Sequence, residues 1–216
     1  MSHHVPEELL LAYVAGNSPE AVSLAVAGHL ARCAECQLRS RLLEDVGGLL
    51  LDEMPGEPLS EGSLDAVLAR LDEEPDPDPA PAEVPGFLAG LPLPGPLKPY
   101  LAGAKGWKTV LPGIRRVELP LAMGGVPVNL MALRGGITIP EHGHEGLELN
   151  LVLTGGFDCT LDDGEYLPGD LCVRDTDDVH TQHIHAGEDC VVLVVRGGKL
   201  VPKNLTGRIG QWLTGF

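Results

Sequence analysis

Residues 136–155 read GITIPEHGHEGLELNLVLTG, and this stretch sets the expectation for the whole C-terminal half of the chain. Side chains alternate faces along a strand, so His142 and His144 share one face. Gly146 supplies a turn, and the apolar run that follows returns as a second strand able to bring Glu148 back to the same face. Inward-pointing residues of a small barrel meet in its lumen. Two imidazoles and a carboxylate meeting there suit a borderline divalent metal; zinc, iron, nickel, manganese and copper are all compatible with the donor types. Polar groups buried in an apolar barrel need partners, which also favours a bound cation.

The flanking sequence has the same texture. From residue 100 onward, short β-type runs (TVLPGIRRVEL, PVNLMAL, LELNLVL, FDCTL, LCVRD, DCVVLVV) alternate with turns rich in Gly, Pro and Asp. Gly-Gly pairs at 124–125, 135–136, 155–156 and 197–198 punctuate them. Many short, evenly spaced strands predict an antiparallel barrel or sandwich over 100–216. Cys159, Cys172 and Cys190 fall within strands and read as small core residues, with Cys190 the first to test for a redox role.

Gly136, His142, His144, Glu148 and Gly155 match every anchor of the first cupin motif, and this half of the chain resembles the cupin family. The resemblance implies a single jelly-roll domain and a fourth ligand at His180, separated from Gly169-Asp170 by nine residues. Where cupins usually carry a Pro-x-Gly turn before that histidine, this chain has Asp175-Thr176-Asp177. His183 and His185 stand nearby as alternatives and read as rim or surface histidines.

Upstream, nine of the chain's 19 prolines fall in residues 75–99, which predicts an extended, semi-rigid linker whose PGFLAGLPL patch is able to dock on a domain. Residues 1–74 read as four helices. Pro6-Glu7-Glu8 opens the first; Ser18 is placed as the cap of the second, with Pro19 at its first position. A third runs from about residue 34 to 51 with Leu38, Leu42, Val46 and Leu49 on one stripe, and a fourth near 63–73 presents Leu64, Val67, Leu68 and Leu71. Such a small helical module has a thin core and needs a staple.

The staple is legible in the sequence. His29, Cys33 and Cys36 stand at spacings of four and three, one face of a helix or its frayed end. Two thiolates and an imidazole are structural zinc ligands, and tetrahedral zinc takes a fourth. His4, just ahead of the first helix, fills that role, with His3 as its competitor by adjacency. A redox CxxC would follow a strand in a βαβ setting, which is absent here.

The net charge of −16 is unevenly spread. Residues 1–84 carry 17 acidic against 4 basic residues, so the helical module repels phosphate backbones and favours a basic protein surface. No apolar run approaches a membrane span, and the acidic N-terminus lacks the features of a secretory signal, so a cytoplasmic protein is expected.

A His-x3-Cys-x2-Cys helical module, a proline-rich linker and a single cupin together resemble the ChrR family of zinc-dependent anti-sigma factors. The resemblance rests on the HHV start, the LAYVAG run at 11–16, His29/Cys33/Cys36 and His142/His144/Glu148/His180, and covers most of the chain. It implies an N-terminal domain (1–74) that sequesters an extracytoplasmic-function sigma factor without touching nucleic acid or membrane. It also implies a cupin domain (100–216) that holds a divalent metal, zinc for preference, and takes part in releasing the sigma factor under singlet oxygen or hydroperoxide stress. The rival reading is a cupin metalloenzyme of the dioxygenase type with an accessory zinc module. Glu141 and Glu145 flank its ligands but should point outward by alternation, which leaves no evident acid–base group.

Overall fold

The computed structural model describes residues 1–71, 73, 83–120, 126–162 and 164–202. Four helices come first: α1 (Glu7–Val14), α2 (Glu20–Leu30), α3 (Ala34–Asp52) and α4 (Ser63–Arg70). Pro6 and Pro19 occupy the N-cap positions of α1 and α2 in extended conformation, with Glu7, Glu8 and Glu20 in the first turns. Acids there complement the positive helix end. Ser18 is therefore not the cap expected from sequence. Pro19 takes that place, one residue later, and the Ser18 hydroxyl is buried without a hydrogen bond within the chain.

The C-terminal half is a two-sheet antiparallel sandwich. Its strands are β1 (Lys108–Leu111), β2 (Ile114–Glu118), β3 (Val128–Leu133), β4 (Thr138–His144), β5 (Glu148–Thr154), β6 (Phe157–Cys159), β7 (Gly164–Tyr166), β8 (Leu171–Arg174), β9 (His180–Ile184), β10 (Cys190–Arg196) and β11 (Leu200–Pro202). One sheet has the order β1-β2-β3-β10-β5-β8 and the other β11-β4-β9-β6-β7. Met131, Leu133, Val152, Phe157, Tyr166, Ile184 and Val192 fill the space between them.

The six-stranded sheet is covered on its outer face as well. β3 and the first six residues of both β5 and β10 are buried without a break, which is why VVLVV shows no alternation of polar and apolar residues. The cover is α2, which packs on β5 and β10. They come close enough at Gly28 that a Cβ atom there would stand 2.6 Å from Leu151 Cδ2 and 3.1 Å from Leu97 Cδ1. Val22, Leu24, Val26, Leu149, Leu151 and Leu193 thus belong to a single core that spans both modules.

The proline-rich stretch departs from the extended linker expected. Residues 83–101 form two 3-10 turns (Gly86–Leu88 and Gly95–Leu97) and a short helix, α5 (Lys98–Leu101). Leu88, Leu97 and Leu101 are fully buried in the shared core. Pro85 and Pro94 cap the turns and Pro96 and Pro99 sit in first-turn positions, where a missing N–H costs nothing, while the intervening leucines gain by burial. Tyr100 donates to Glu20 Oε1 (3.1 Å) and Arg32 to the Pro92 carbonyl, so the segment is bound to α2 as well. The fourth helix, expected to reach about residue 73, ends at Arg70. Asp72, Pro75, Pro77, Pro79, Pro81 and residues 203–216 lie outside the described residues.

The far part of α3 and all of α4 leave their apolar stripes in solvent. Leu38, Leu42, Val46, Leu49, Leu64, Val67, Leu68 and Leu71 are about half exposed or more, Leu49 reaching 67% and Leu71 74%.

Candidate metal centres

The first centre lies where α1, α2 and α3 meet. His29 is in the last turn of α2, Cys33 is the N-cap of α3, Cys36 lies in its first turn, and His4 precedes α1. One ligand atom from each of the four lies within 4.8 Å of all the others. His4 Nδ1 is 3.3 Å from Cys33 Sγ and 3.5 Å from Cys36 Sγ, and His29 Nε2 is 3.3 Å from Cys36 Sγ. Bonds of about 2.0 Å to nitrogen and 2.3 Å to sulfur in a tetrahedral zinc site would separate N from S by about 3.5 Å. The donor set fits the ion.

The outer ring nitrogens support the same geometry. His29 Nδ1 donates to the Gly169 carbonyl (2.7 Å), and His4 Nε2 lies 3.1 Å from Glu35 Oε2. Each imidazole thus has its outer nitrogen engaged and its inner nitrogen turned to the thiols, the arrangement typical of a metal-bound histidine. Burial holds His29 below its ordinary pKa, against the upward pull of the Gly169 carbonyl, which keeps the ring neutral at pH 7. Burial pushes the Cys36 thiol up, so a thiolate there needs a cation. His3 turns elsewhere: its ring stacks on Tyr166 with centroids 3.9 Å apart, and its Nε2 reaches the Glu165 carbonyl (3.1 Å).

The second centre lies between the two sheets. β4 contributes His142 and His144, β9 contributes His180 directly opposite His142, and β5 contributes Glu148. Glu148 arrives from the facing sheet rather than from the face that carries the histidines, because the turn at Gly146 crosses the sandwich edge. Gly155, at the far end of β5, has φ +65, and a Cβ there would meet Asp189 O at 2.8 Å, so only glycine fits. All four candidate ligands are buried, and their ligand atoms again lie within 4.8 Å of one another.

The polar inventory of this pocket asks for a cation. His142 Nδ1 donates to the Pro140 carbonyl (2.7 Å) and His180 Nδ1 faces Cys159 Sγ (3.3 Å), which leaves the two Nε2 atoms facing each other at 3.1 Å. With the Cys159 thiol ionised, His180 Nδ1 donates to it, and two neutral imidazoles each protonated at Nδ1 then oppose lone pairs unless a positive charge lies between them. His144 Nε2 is 2.6 Å from Glu148 Oε2 but not in hydrogen-bond alignment, and both atoms, with His144 Nδ1, are buried without a hydrogen bond. Burial drives His142 down to about 4. Burial raises Glu148, but the His144 imidazole and Arg196 outweigh it and hold the carboxyl below its usual range. A neutral imidazole and an ionised carboxylate are the forms a metal binds.

His180 reaches the pocket although the Pro-x-Gly turn is missing. Asp175 N donates to Asp178 Oδ2 (2.8 Å) and Thr176 N to Asp175 Oδ1 (2.7 Å), so aspartates close the turn instead. His183 bonds Thr138 Oγ1 (3.1 Å) and His185 pairs with Asp158 (3.1 Å), both outside the pocket. Glu141 and Glu145 are exposed.

Sequence reasoning missed the supporting layer. Glu35, the Gly169 carbonyl and Arg174 carry no signal in that reading and Cys159 reads there only as a core residue, though Arg174 two residues after Cys172 is an inward charge that strand alternation makes visible. Arg174 Nη2 lies 3.1 Å from Cys159 Sγ and 2.9 Å from Asp162 Oδ2. The contact with Cys172 comes first in holding the Cys159 thiol down to about 3, and His180 and Arg174 add to it against burial. Cys172 moves the opposite way. Cys190, the cysteine that the sequence marked for a redox role, is pushed by burial up to about 12.

The family model described as the ChrR cupin-like domain matches residues 102–200. The chain is 40% identical over 198 residues to the anti-sigma-E factor ChrR of Cereibacter sphaeroides, an alignment covering 92% of this chain and 91% of that protein. It belongs to the ChrR family of anti-sigma factors. The backbone also matches the crystal structure of Rhodobacter sphaeroides SigE in complex with the anti-sigma ChrR, with a TM-score of 0.72 and 39% identity over 90% of this chain and 98% of the matched chain. The ChrR relative is by name a regulator rather than an enzyme. No helix among the described residues is long and apolar enough to cross a membrane.

Proposed function

We propose that this chain is a zinc-dependent anti-sigma factor of the cytoplasm. Its helical module binds an extracytoplasmic-function sigma factor, and its cupin pocket takes part in releasing that factor under oxidative stress such as singlet oxygen or hydroperoxide. The observation that carries the reading is the pair of unpartnered apolar stripes on α3 and α4, bordered by Glu44, Asp45, Asp52, Glu53, Glu61 and Asp65. An apolar surface of that extent, rimmed by acid, suits a partner with apolar grooves and a basic rim. Sigma factors expose basic surfaces intended for DNA.

Zinc at His4, His29, Cys33 and Cys36 ties α1, α2 and α3 together and thereby fixes the direction in which α3 projects. A divalent metal, zinc by preference, is held by His142, His144, Glu148 and His180. At the first site the ion supplies a structural cross-link, and at the second a Lewis-acidic centre. The chain's own residues hold the ligands in their binding forms: Glu35 and Gly169 orient the two imidazoles of the first site, and Pro140 and Cys159 orient His142 and His180 in the second.

The test is co-expression of the full chain with each extracytoplasmic-function sigma factor of its source. A stoichiometric complex on size exclusion is expected with one of them, and Leu49→Asp or Val67→Asp should abolish it while leaving the fold intact. Absence of any complex, or full-strength complexes with both variants, would overturn the reading.

A further inference from the structure

One turn of the barrel holds parts of the helical metal centre. The turn spans residues 167–170, just before β8. Leu167 N donates to Asp170 Oδ2 (3.0 Å) and Asp170 N to the Leu167 carbonyl (2.9 Å), which closes it. Gly169 N donates to the Val152 carbonyl (2.8 Å) and Val152 N to that of Asp170 (3.1 Å), which binds it to β5. On its other side the turn reaches the helical module. The Gly169 carbonyl accepts from His29 Nδ1 at 2.7 Å, and Asp170 Oδ1 accepts the main-chain amides of Ser2 (3.0 Å) and His3 (3.2 Å). His29 and Asp170 are both almost completely buried, so these bonds are shielded from water.

Both contacts bear on ligand position. The Gly169 carbonyl fixes which nitrogen of His29 carries the proton and where Nε2 points. Asp170 anchors the two residues directly before His4, and so sets where that ligand starts. We infer that the Gly169–Asp170 turn is an outer layer of the His4/His29/Cys33/Cys36 centre, so that the barrel positions two of its four ligands and sets its metal affinity. Asp170 is thus a positioning residue. The turn leads straight into β8, where Arg174 touches Cys159, the neighbour of His180. The inference rests on reading the thiol centre as a metal site.

Cobalt replacing zinc in the full-length chain separates the two centres, because only the first gives thiolate-to-cobalt charge-transfer absorption. Asp170→Ala should weaken cobalt binding at the thiolate centre by roughly 10- to 100-fold, the usual range for loss of an outer-layer partner, and shift its ligand-field bands. Asp170→Asn, which keeps the size and one acceptor oxygen, should fall between Asp170→Ala and the unsubstituted chain. A purely structural role would lower the unfolding midpoint and leave the bands in place. In the unsubstituted chain, amide exchange of residues 167–170 should slow in step with growth of the thiolate band as cobalt is titrated in. Unchanged affinity and bands in folded Asp170→Ala, or exchange that does not follow the thiolate band, would refute the inference alone. A wild-type chain with no thiolate band would sink the zinc reading itself, and the inference with it.

Discussion

His29 Nδ1 donates to the Gly169 carbonyl across 140 residues of sequence, at 2.7 Å and out of reach of water. A candidate ligand of the helical centre is thereby oriented by the barrel. Four expectations follow from this arrangement and from the pocket chemistry.

Replacing Cys33 and Cys36 together by Ser should remove one zinc per chain in metal analysis and abolish partner binding. The barrel has its own core between the sheets. Its β-type circular dichroism should therefore persist while the helical signal weakens.

Gly28→Val probes the docking of α2. A valine gains helix propensity over glycine, by a few tenths of a kcal/mol. It must also push into Leu151 and Leu97, which are fully buried and have nowhere to go. The overpacking term is larger, and a net loss of about 1–3 kcal/mol in urea unfolding is expected.

The metal-free chain should lose stability in acid. His142 is held at about 4 in the fold against an ordinary 6.5, chiefly by burial. Between those values the unfolded chain binds the extra proton, so the contribution is complete above pH 6.5 and lost as pH falls toward 4. The loss is on the order of 3 kcal/mol. His142→Gln should flatten the urea midpoint against pH over that window.

Cys159→Ala should weaken metal binding in the barrel by roughly 10- to 100-fold, because it removes the group facing His180 Nδ1 and leaves Arg174 with one partner fewer. Cys190→Ala should not, since Cys190 lies elsewhere in the sandwich core. Chelator competition on the two variants distinguishes them.

Much of this molecule was legible because its chemistry is local. His29, Cys33 and Cys36 are held by one helix end and the start of the next, so spacing alone brings them together. His142 and His144 share a strand face for the same reason. His180 was reached only through the cupin resemblance, since its approach depends on β4 and β9 pairing in register. Ser18 misled because a proline follows it, and the leucines among the prolines gave no sign of their destination. A short apolar patch in a breaker-rich segment buries only if another surface is there to receive it.

Periodicity and residue chemistry within a few turns of chain suffice to read the helices of the first 70 residues, the strands of the second half, the candidate donor atoms and the apolar stripes of α3 and α4. Long-range packing placed His4 rather than His3 beside Cys33 and Cys36, brought Glu148 in from the opposite sheet, and set His29 against Gly169. Those outcomes depend on surfaces distant in sequence becoming buried against each other. No local pattern encodes the partner of a buried polar atom. Packing α2 onto β5 and β10 supplies it.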